Sequence, residues 1–381
     1  MKTFDIAFIG AGASTLMCST FIKNRSVAIV ESSKKIAPKI KISGGGNCNF
    51  TNKFVSSDNY LGDHLFIQQV LGKFDQNDVL DFFKKHNLEY ILREDGKYFC
   101  KNGASDIINI FARLTKHCDF FLDNKVSEVK FDKQFIIKTD KQVLKAKKLV
   151  VSSGGLSYAS LGASDIGFKI AKSFGHNIIK TSPALAGFTL QKDQFWMKEL
   201  SGITIPISLQ VGDKTFKNNL LFAHKGISGP AVLSGSLYWE KGSITIDFLP
   251  NIKITNLLSK KSNKQISSIL PLPKRFVKEY LKSVDLDDIS INCLTIQDII
   301  KLEKLNRYEF SPAGNFGYTK AEVTRGGVDT DEINIDNFES LKKKDLFFIG
   351  EVLNVTGELG GYNFQWAFSS ANILARYLTE K

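Results

Sequence analysis

Apolar and polar positions follow two different periods along this chain, and the changes of period mark its elements. Residues 4 to 9, FDIAFI, form a near-continuous apolar run, as expected of a strand buried on both faces. GAGAST follows, and then LMCSTFIK, whose composition suits a helix. Residues 27 to 31, VAIVE, predict a second strand that ends in an acid. VSEVKF (126 to 131) and the run KKLVVSS read as further strands, and DLFFIG (345 to 350) as another. After it, Phe364, Ala367, Phe368, Ala371, Leu374 and Ala375 fall at helical spacing.

Between Gly187 and about Lys320 the pattern changes. ITIPISLQVGDKTFKNNLLF (203 to 222) and SITIDFLP (243 to 250) carry strand signals. PKRFVKEYLKSV and TIQDIIKLEKL are amphipathic helical runs, and strand character returns at YEFSP and KAEVT. The expected organisation is a discontinuous cofactor-binding domain, residues 1–186 and 320–381. It is interrupted by a β-rich, barrel-like subdomain at 187–251 and a helical subdomain at 252–319.

Composition changes this picture little. Hydrophobic residues make up 43% of the chain, with 30 Phe, enough for buried cores. Five scattered cysteines with no C-x-x-C pair argue against a disulfide framework or a zinc site. No apolar run is long enough to span a bilayer, and no signal-peptide pattern is seen, so a cytoplasmic protein without membrane insertion is expected. The net charge of +12 arises from short lysine runs such as Lys34-Lys35 and Lys260-Lys261. A general lysine bias accounts for them at least as well as a nucleic-acid surface does, so nucleic acid is not expected as a partner. No oligomeric state is specified.

Chemistry concentrates at the two ends of the chain. In the strand–turn–helix–strand unit, Gly10 permits the turn and Gly12 lets backbone approach a pyrophosphate at the helix start. Glu31, 21 residues after Gly10, falls where a carboxylate takes ribose hydroxyls and repels a 2′-phosphate. Thr15 replaces the third glycine of the usual fingerprint, which predicts a slightly displaced helix. KISGGGNCNFTN (41 to 52) begins ten residues after Glu31, and its three glycines would lie against phosphate or a ring system, with Lys39 and Lys41 beside them. Gly360-Gly361 lead into the last helix, another place for a negatively polarised group. No second thiol lies near Cys48 in sequence, so a flavin–disulfide relay is not expected, and a small packed residue is the favoured reading.

GAGAS, KISGGGNCNFTN, SSGGLSYASLG, LFAHKGISGP, AEVTRGGV and GEVLNVTGELGGYNFQWAFSS, in this order, resemble the BaiN/YhiN-type bacterial flavoproteins, also called aminoacetone-oxidase-like. The resemblance covers essentially the whole chain. It implies an α/β fold with a Rossmann-like FAD-binding domain of the two-dinucleotide-binding flavoprotein type. It also implies an FAD-dependent oxidoreductase passing hydride between flavin and a small organic substrate, in one member a C=C conjugated to a steroid ketone. Gly10, Gly12, Ala13, Ser14 and Glu31 would hold the ADP part, and Val126 would touch adenine through its backbone. Lys41, Ser43, Gly44, Gly45, Gly46, Cys48, Asn49 and Thr51 would border the flavin and ribityl chain. Gly154 and Gly155 return toward the cofactor, Gly350 and Glu351 face the ribityl hydroxyls, and Gly361, Tyr362 and Asn363 cap the pyrimidine edge. Asn47 and Asn354 depart from the arginine and aspartate common in the family.

A second G-x-G-x-x-G is missing, so NAD(P)H is expected only as a transient electron donor. His224 is the catalytic candidate, as acid or hydrogen-bond donor toward a substrate carbonyl; the alternative is a strand-end residue satisfied by backbone. Two other functions stay open: an oxidase using oxygen, and a flavin-containing RNA-binding or RNA-modifying protein.

Overall fold

The computed structural model describes all residues except Met1, Lys260, Lys261 and Lys381, so the Lys260-Lys261 run lies outside the described residues. The chain divides into two compact units, Met1–Pro183 with Glu322–Lys381, and Ala184–Ala321.

In the first unit a seven-stranded sheet is built around β1 (Thr3–Ile9). Five strands lie in the order β5 (Asp119–Phe121), β2 (Val27–Val30), β1, β8 (Val143–Val151), β7 (Gln134–Thr139), and β6 (Val126–Asp132) closes that edge. β10 (Leu346–Phe348) pairs with the end of β8. β1, β2, β5, β8 and β10 run parallel, whereas β6 and β7 join as antiparallel strands. β2 is buried along its whole length and β1 along most of it, which is why both read as apolar runs.

Helix α1 (Ala13–Ser19) starts directly after the turn that leaves β1. A five-residue helix, α2 (Pro38–Ile42), leads into the glycine triplet and then β3 (Asn49–Asn52), which pairs antiparallel with β4 (Lys97–Cys100). β9 (Val323–Val328) carries the chain back into this unit. Helix α3 (Tyr362–Glu380) ends it, with Trp366, Phe368 and Leu374 in the same core as Phe8 and Ile29.

The second unit is a seven-stranded antiparallel sheet in which the hairpin Thr204–Val211 and Lys214–Ala223 forms the centre. Its strands and its helices share one core, where Phe276 of the helix Lys274–Ser283 packs on Phe222 and Phe248. Among the described residues no helix is long and apolar enough to cross a membrane.

Candidate functional site

The turn after β1 contains two glycines with opposite surroundings. A Cβ on Gly10, whose φ is +103°, would stand 2.7 Å from the Ser152 carbonyl oxygen, so this glycine serves the packing of the turn on β8. A Cβ on Gly12 would meet nothing within 4 Å, leaving space beside the backbone at the start of α1. Thr15, at the third-glycine position, is accommodated without lost contacts, because its hydroxyl donates to the Gly10 carbonyl at 2.7 Å and reaches Ser152 Oγ at 2.5 Å. Ser14 is buried, and a Cβ on Gly350 would lie 2.7 Å from its Oγ. The amino-terminal turn and the end of β10 therefore meet.

Glu31 is fixed by the backbone around it. Its Oε2 accepts the Ala11 N–H at 2.7 Å and its Oε1 accepts the Ser33 N–H at 2.7 Å. Oε1 also accepts the Ser32 hydroxyl at 3.1 Å, which leaves the second lone pair of Oε2 for a ligand hydroxyl. Asn124, two residues before Val126 at the start of β6, donates its N–H to the Glu31 carbonyl at 2.9 Å.

The triplet of KISGGGNCNFTN is a held turn. Gly44, Gly45 and Gly46 have φ of 56°, 66° and 90°, a left-handed run that glycine tolerates; Asn47 returns to −93° and Cys48 is again left-handed at 50°. The Cys48 N–H bonds to the Ser43 carbonyl at 3.0 Å and the Ala104 N–H to the Gly46 carbonyl at 2.8 Å. Cβ atoms on Gly45 or Gly46 would meet nothing within 4 Å, so one side of the turn is free. Lys41 reaches Ser105 Oγ at 2.5 Å.

β3 joins this turn to the start of α3. In the orientation that its neighbours require, the Asn49 amide nitrogen donates to the Thr51 and Tyr98 carbonyls at 3.0 Å each, and its oxygen accepts the Gly361 N–H at 3.1 Å. Thr51 donates to Gln365 Oε1 at 2.6 Å. Asn363 is occupied by Gly357, donating to its carbonyl at 2.8 Å and accepting its N–H at 2.9 Å. The Tyr362 carbonyl accepts the Tyr60 hydroxyl at 2.9 Å, and burial pushes the Tyr362 phenol up to about 12. Asn49, Thr51 and Gly361 thus belong to one hydrogen-bonded block.

A second block forms around Glu351. Its Oε2 is 2.7 Å from Lys39 Nζ, and its Oε1 accepts the Thr324 N–H at 3.0 Å. The Thr324 hydroxyl accepts the Leu156 N–H at 2.7 Å, and a Cβ on Gly155 would strike that threonine at 2.4 Å. Gly154 lies against the same carboxylate, since a Cβ there would be 3.4 Å from Glu351 Oε2.

Two features were not legible in the sequence. The thiol of Cys48, 1% exposed, points into the core, and pairing of β3 with β4 sets Cys100 next to it, its N–H 3.3 Å from the Cys48 carbonyl. The second thiol missing from the local sequence is therefore supplied across strands. The Cys48 thiol and burial push the Cys100 thiol up, and both cysteines are free. Glu322 is the other feature. Its side chain is exposed, yet burial raises its carboxyl, so it faces a recess and not open surface. Lys39 and Lys97 counter that rise, and Glu322 in turn helps burial to raise Tyr158. Among the described residues its carboxylate has no hydrogen bond or ion pair. Only the motif AEVTRGGV, which places it two residues before Thr324, hinted at it.

His224 lies in the other unit, exposed at the turn between the strands Lys214–Ala223 and Gly226–Ser228. No backbone partner holds its ring among the described residues.

These residues suit FAD. The backbone at Gly12, Gly45 and Gly46 is open on the side a Cβ would take, as close approach of a pyrophosphate or flat ring requires, and the Glu31 carboxylate is held at the end of β2, the position of a ribose-binding acid in such units. A parallel sheet with this turn, acid and returning last helix defines an FAD-dependent oxidoreductase of the Rossmann class. The sequence profile of the HI0933-like protein Rossmann domain matches residues 4–377. The chain belongs to this family.

Its relatives include the ribosomal RNA dihydrouridine synthase of Escherichia coli, 38% identical over 390 residues and 97% of each chain. Another is the 3-dehydro-bile acid delta(4,6)-reductase of Clostridium scindens, 25% identical over 417 residues and 99% of each chain. Among solved structures, a 3-ketosteroid-delta4-(5alpha)-dehydrogenase from Rhodococcus jostii RHA1 shares the fold, with a TM-score of 0.50 at 10% identity, covering 98% of this chain and 97% of that one.

Proposed function

We propose that this protein is an FAD-dependent reductase that saturates the C5=C6 bond of a uridine in ribosomal RNA. The observation that carries this reading is the 38% identity to the Escherichia coli synthase along 97% of both chains. The bile acid reductase is more distant at 25%. The two named activities share one chemistry, because the uracil C5=C6 bond is conjugated to the C4 carbonyl as a steroid enone is to its ketone. The reading departs from the expectation that nucleic acid is not a partner, and it takes up the RNA-modifying alternative.

Gly10, Gly12, Ala13, Ser14 and Glu31 would hold the ADP half of FAD. The Gly44–Gly46 turn, the block around Asn49 and Gly361, and the block around Glu351 would hold the flavin half. Bound FAD supplies a hydride acceptor and donor at N5, refilled by NAD(P)H. The chain's own task is then to place the base and move a proton. Glu322, whose carboxyl burial raises, would deliver a proton to C5, and the hydride for C6 would come from the reduced flavin. Two electrons and two hydrogens are added, and the carboxylate regains its proton from water. His224 is kept as the proposed donor to a carbonyl of the base.

Anaerobic reoxidation tests this choice. Protein reduced with NAD(P)H is mixed with unmodified ribosomal RNA or with a conjugated ketosteroid. Fast flavin reoxidation by RNA alone is expected; reoxidation by the ketosteroid alone would move the substrate to the steroid class.

A further inference from the structure

The helix Lys274–Ser283 in the second unit carries more positive charge than its own stability favours. Its inner face is apolar, with Phe276, Val277, Tyr280 and Leu281 buried. At 100° per residue, Lys274, Arg275, Lys278 and Lys282 fall within one arc of about 100° on the opposite side, and all four are exposed. Lys282 is paired with Glu279 at 2.9 Å. Lys274, Arg275 and Lys278 have no ion pair among the described residues. Like charges four residues apart, as at Lys274 and Lys278, destabilise a helix, and the first turn holds no acid to offset them. Glu279 is the one acid of this helix and is taken by Lys282, so three exposed cations remain without an ion pair among the described residues, as a surface that meets a polyanion would have.

The neighbouring segment adds an aromatic. Trp196 packs on Phe276 and Tyr280 with ring centroids 5.8 Å apart, so the turn Lys192–Leu200 lies beside this helix. On it, Phe195 is 44% exposed and Lys198 Nζ stands 3.2 Å from its ring centroid. Asp193 and Glu199 balance the lysines of this turn, so its contribution is the ring and not the charge. An exposed ring on the adjoining turn and a helix face of unpaired cations are the two kinds of surface with which proteins hold single-stranded nucleic acid, with bases stacked and phosphates neutralised.

We infer that the Lys274–Arg275–Lys278 face docks the phosphate backbone of the RNA substrate, with Phe195 as a stacking surface for an unpaired base. The inference rests on the ribosomal RNA reading and adds where the RNA is gripped. Neutralised phosphates release counterions, so each contact steepens the fall of affinity with salt.

The test uses the FAD-loaded full chain and ribosomal RNA. Binding is measured from low to moderate salt for the wild type and for a variant combining Lys274→Glu, Arg275→Glu and Lys278→Glu. A second variant, Lys84→Glu, Lys85→Glu and Lys116→Glu, alters net charge equally at exposed positions of the other unit. The docking-face variant should bind more weakly, with a log–log salt slope smaller by about 2 to 3, roughly 0.7–0.9 for each lost phosphate contact. The charge-matched variant should keep the wild-type slope, and all three proteins should keep flavin content and flavin reduction by NAD(P)H. Equal slopes in wild type and docking-face variant would overturn the docking surface while leaving the ribosomal RNA reading in place. An equal loss in both variants would replace the surface by a diffuse net-charge effect. Failure of the wild type itself to bind RNA would remove the reading on which the inference stands.

Discussion

At the end of β2, Glu31 has both carboxylate oxygens bonded to backbone N–H groups; at the start of β9, Glu322 has no partner for either oxygen among the described residues. Both acids belong to the same unit, and each stands next to a motif glycine cluster. The first is oriented by the turn that it closes. The second sits in a recess where burial favours the protonated form. A carboxylate fixed by backbone is a positioning group, because its geometry cannot follow a reaction. One whose carboxyl burial raises and that no hydrogen bond holds is suited to give up a proton. In the proposed reaction this difference would separate cofactor binding from proton delivery.

The largest effects should come from filling the cofactor space and from removing the proton. Gly12→Val places a side chain where nothing of the protein stands. It should leave folding intact and weaken FAD by at least about 100-fold, roughly 2.7 kcal/mol. Fluorescence titration of the apoprotein measures this, and tight flavin binding by the variant would show that the space lies elsewhere.

Glu322→Gln should keep flavin and its reduction by NAD(P)H but slow the substrate half-reaction by about 10²-fold or more. The sign with pH follows from the raised carboxyl: the wild-type half-reaction is fast while Glu322 is protonated and declines as pH rises through its raised pKa. Stopped-flow profiles of the two proteins decide it; a variant with the same alkaline decline would assign the acid to another group.

Stability should reverse the ranking of the two acids. Glu31→Gln replaces one of two acceptors for backbone N–H groups by a donor, costing about 1–3 kcal/mol. Glu322→Gln removes no bond and should leave the apoprotein Tm unchanged. Thermal melts of both apoproteins give the comparison, and equal losses would mean that Glu322 is structural. His224→Ala should slow only the substrate half-reaction, by about 10-fold, or roughly 1.4 kcal/mol. An unchanged half-reaction would leave His224 as an exposed turn residue. Cys48→Ser should change turnover less than about threefold, since the thiol faces the core; a loss near 100-fold, roughly 2.7 kcal/mol, with flavin bound would give the cysteine a role in the chemistry.

The cradle around Glu31 was legible because strand, turn, helix and acid are local in sequence, and their spacing is dictated by the ligand that the unit wraps. α3 was legible for a similar reason, its apolar positions repeating at helical period. The surroundings of Cys48 were not. Its neighbour Cys100 is 52 residues away, brought close by the register of β3 on β4, and register is not written in either strand alone. Glu322 escaped for the same physical reason: its recess is shared with Lys39, Lys97 and Tyr158, which come from three distant segments. The second unit adds a case of partial legibility. PKRFVKEYLKSV announced an amphipathic helix, but that Lys274, Arg275 and Lys278 make no ion pair among the described residues is visible only in the fold.

Nucleoside analysis of ribosomal RNA tests the proposed reaction most directly. Unmodified ribosomal RNA is incubated anaerobically with the FAD-loaded protein and NAD(P)H, digested, and examined by mass spectrometry. The expected product is dihydrouridine, a uridine heavier by two hydrogens, formed with wild type and nearly lost with Glu322→Gln. Unaltered uridine after full flavin turnover on a small conjugated ketone would contradict the ribosomal RNA reading and leave the chain as a reductase of small enones.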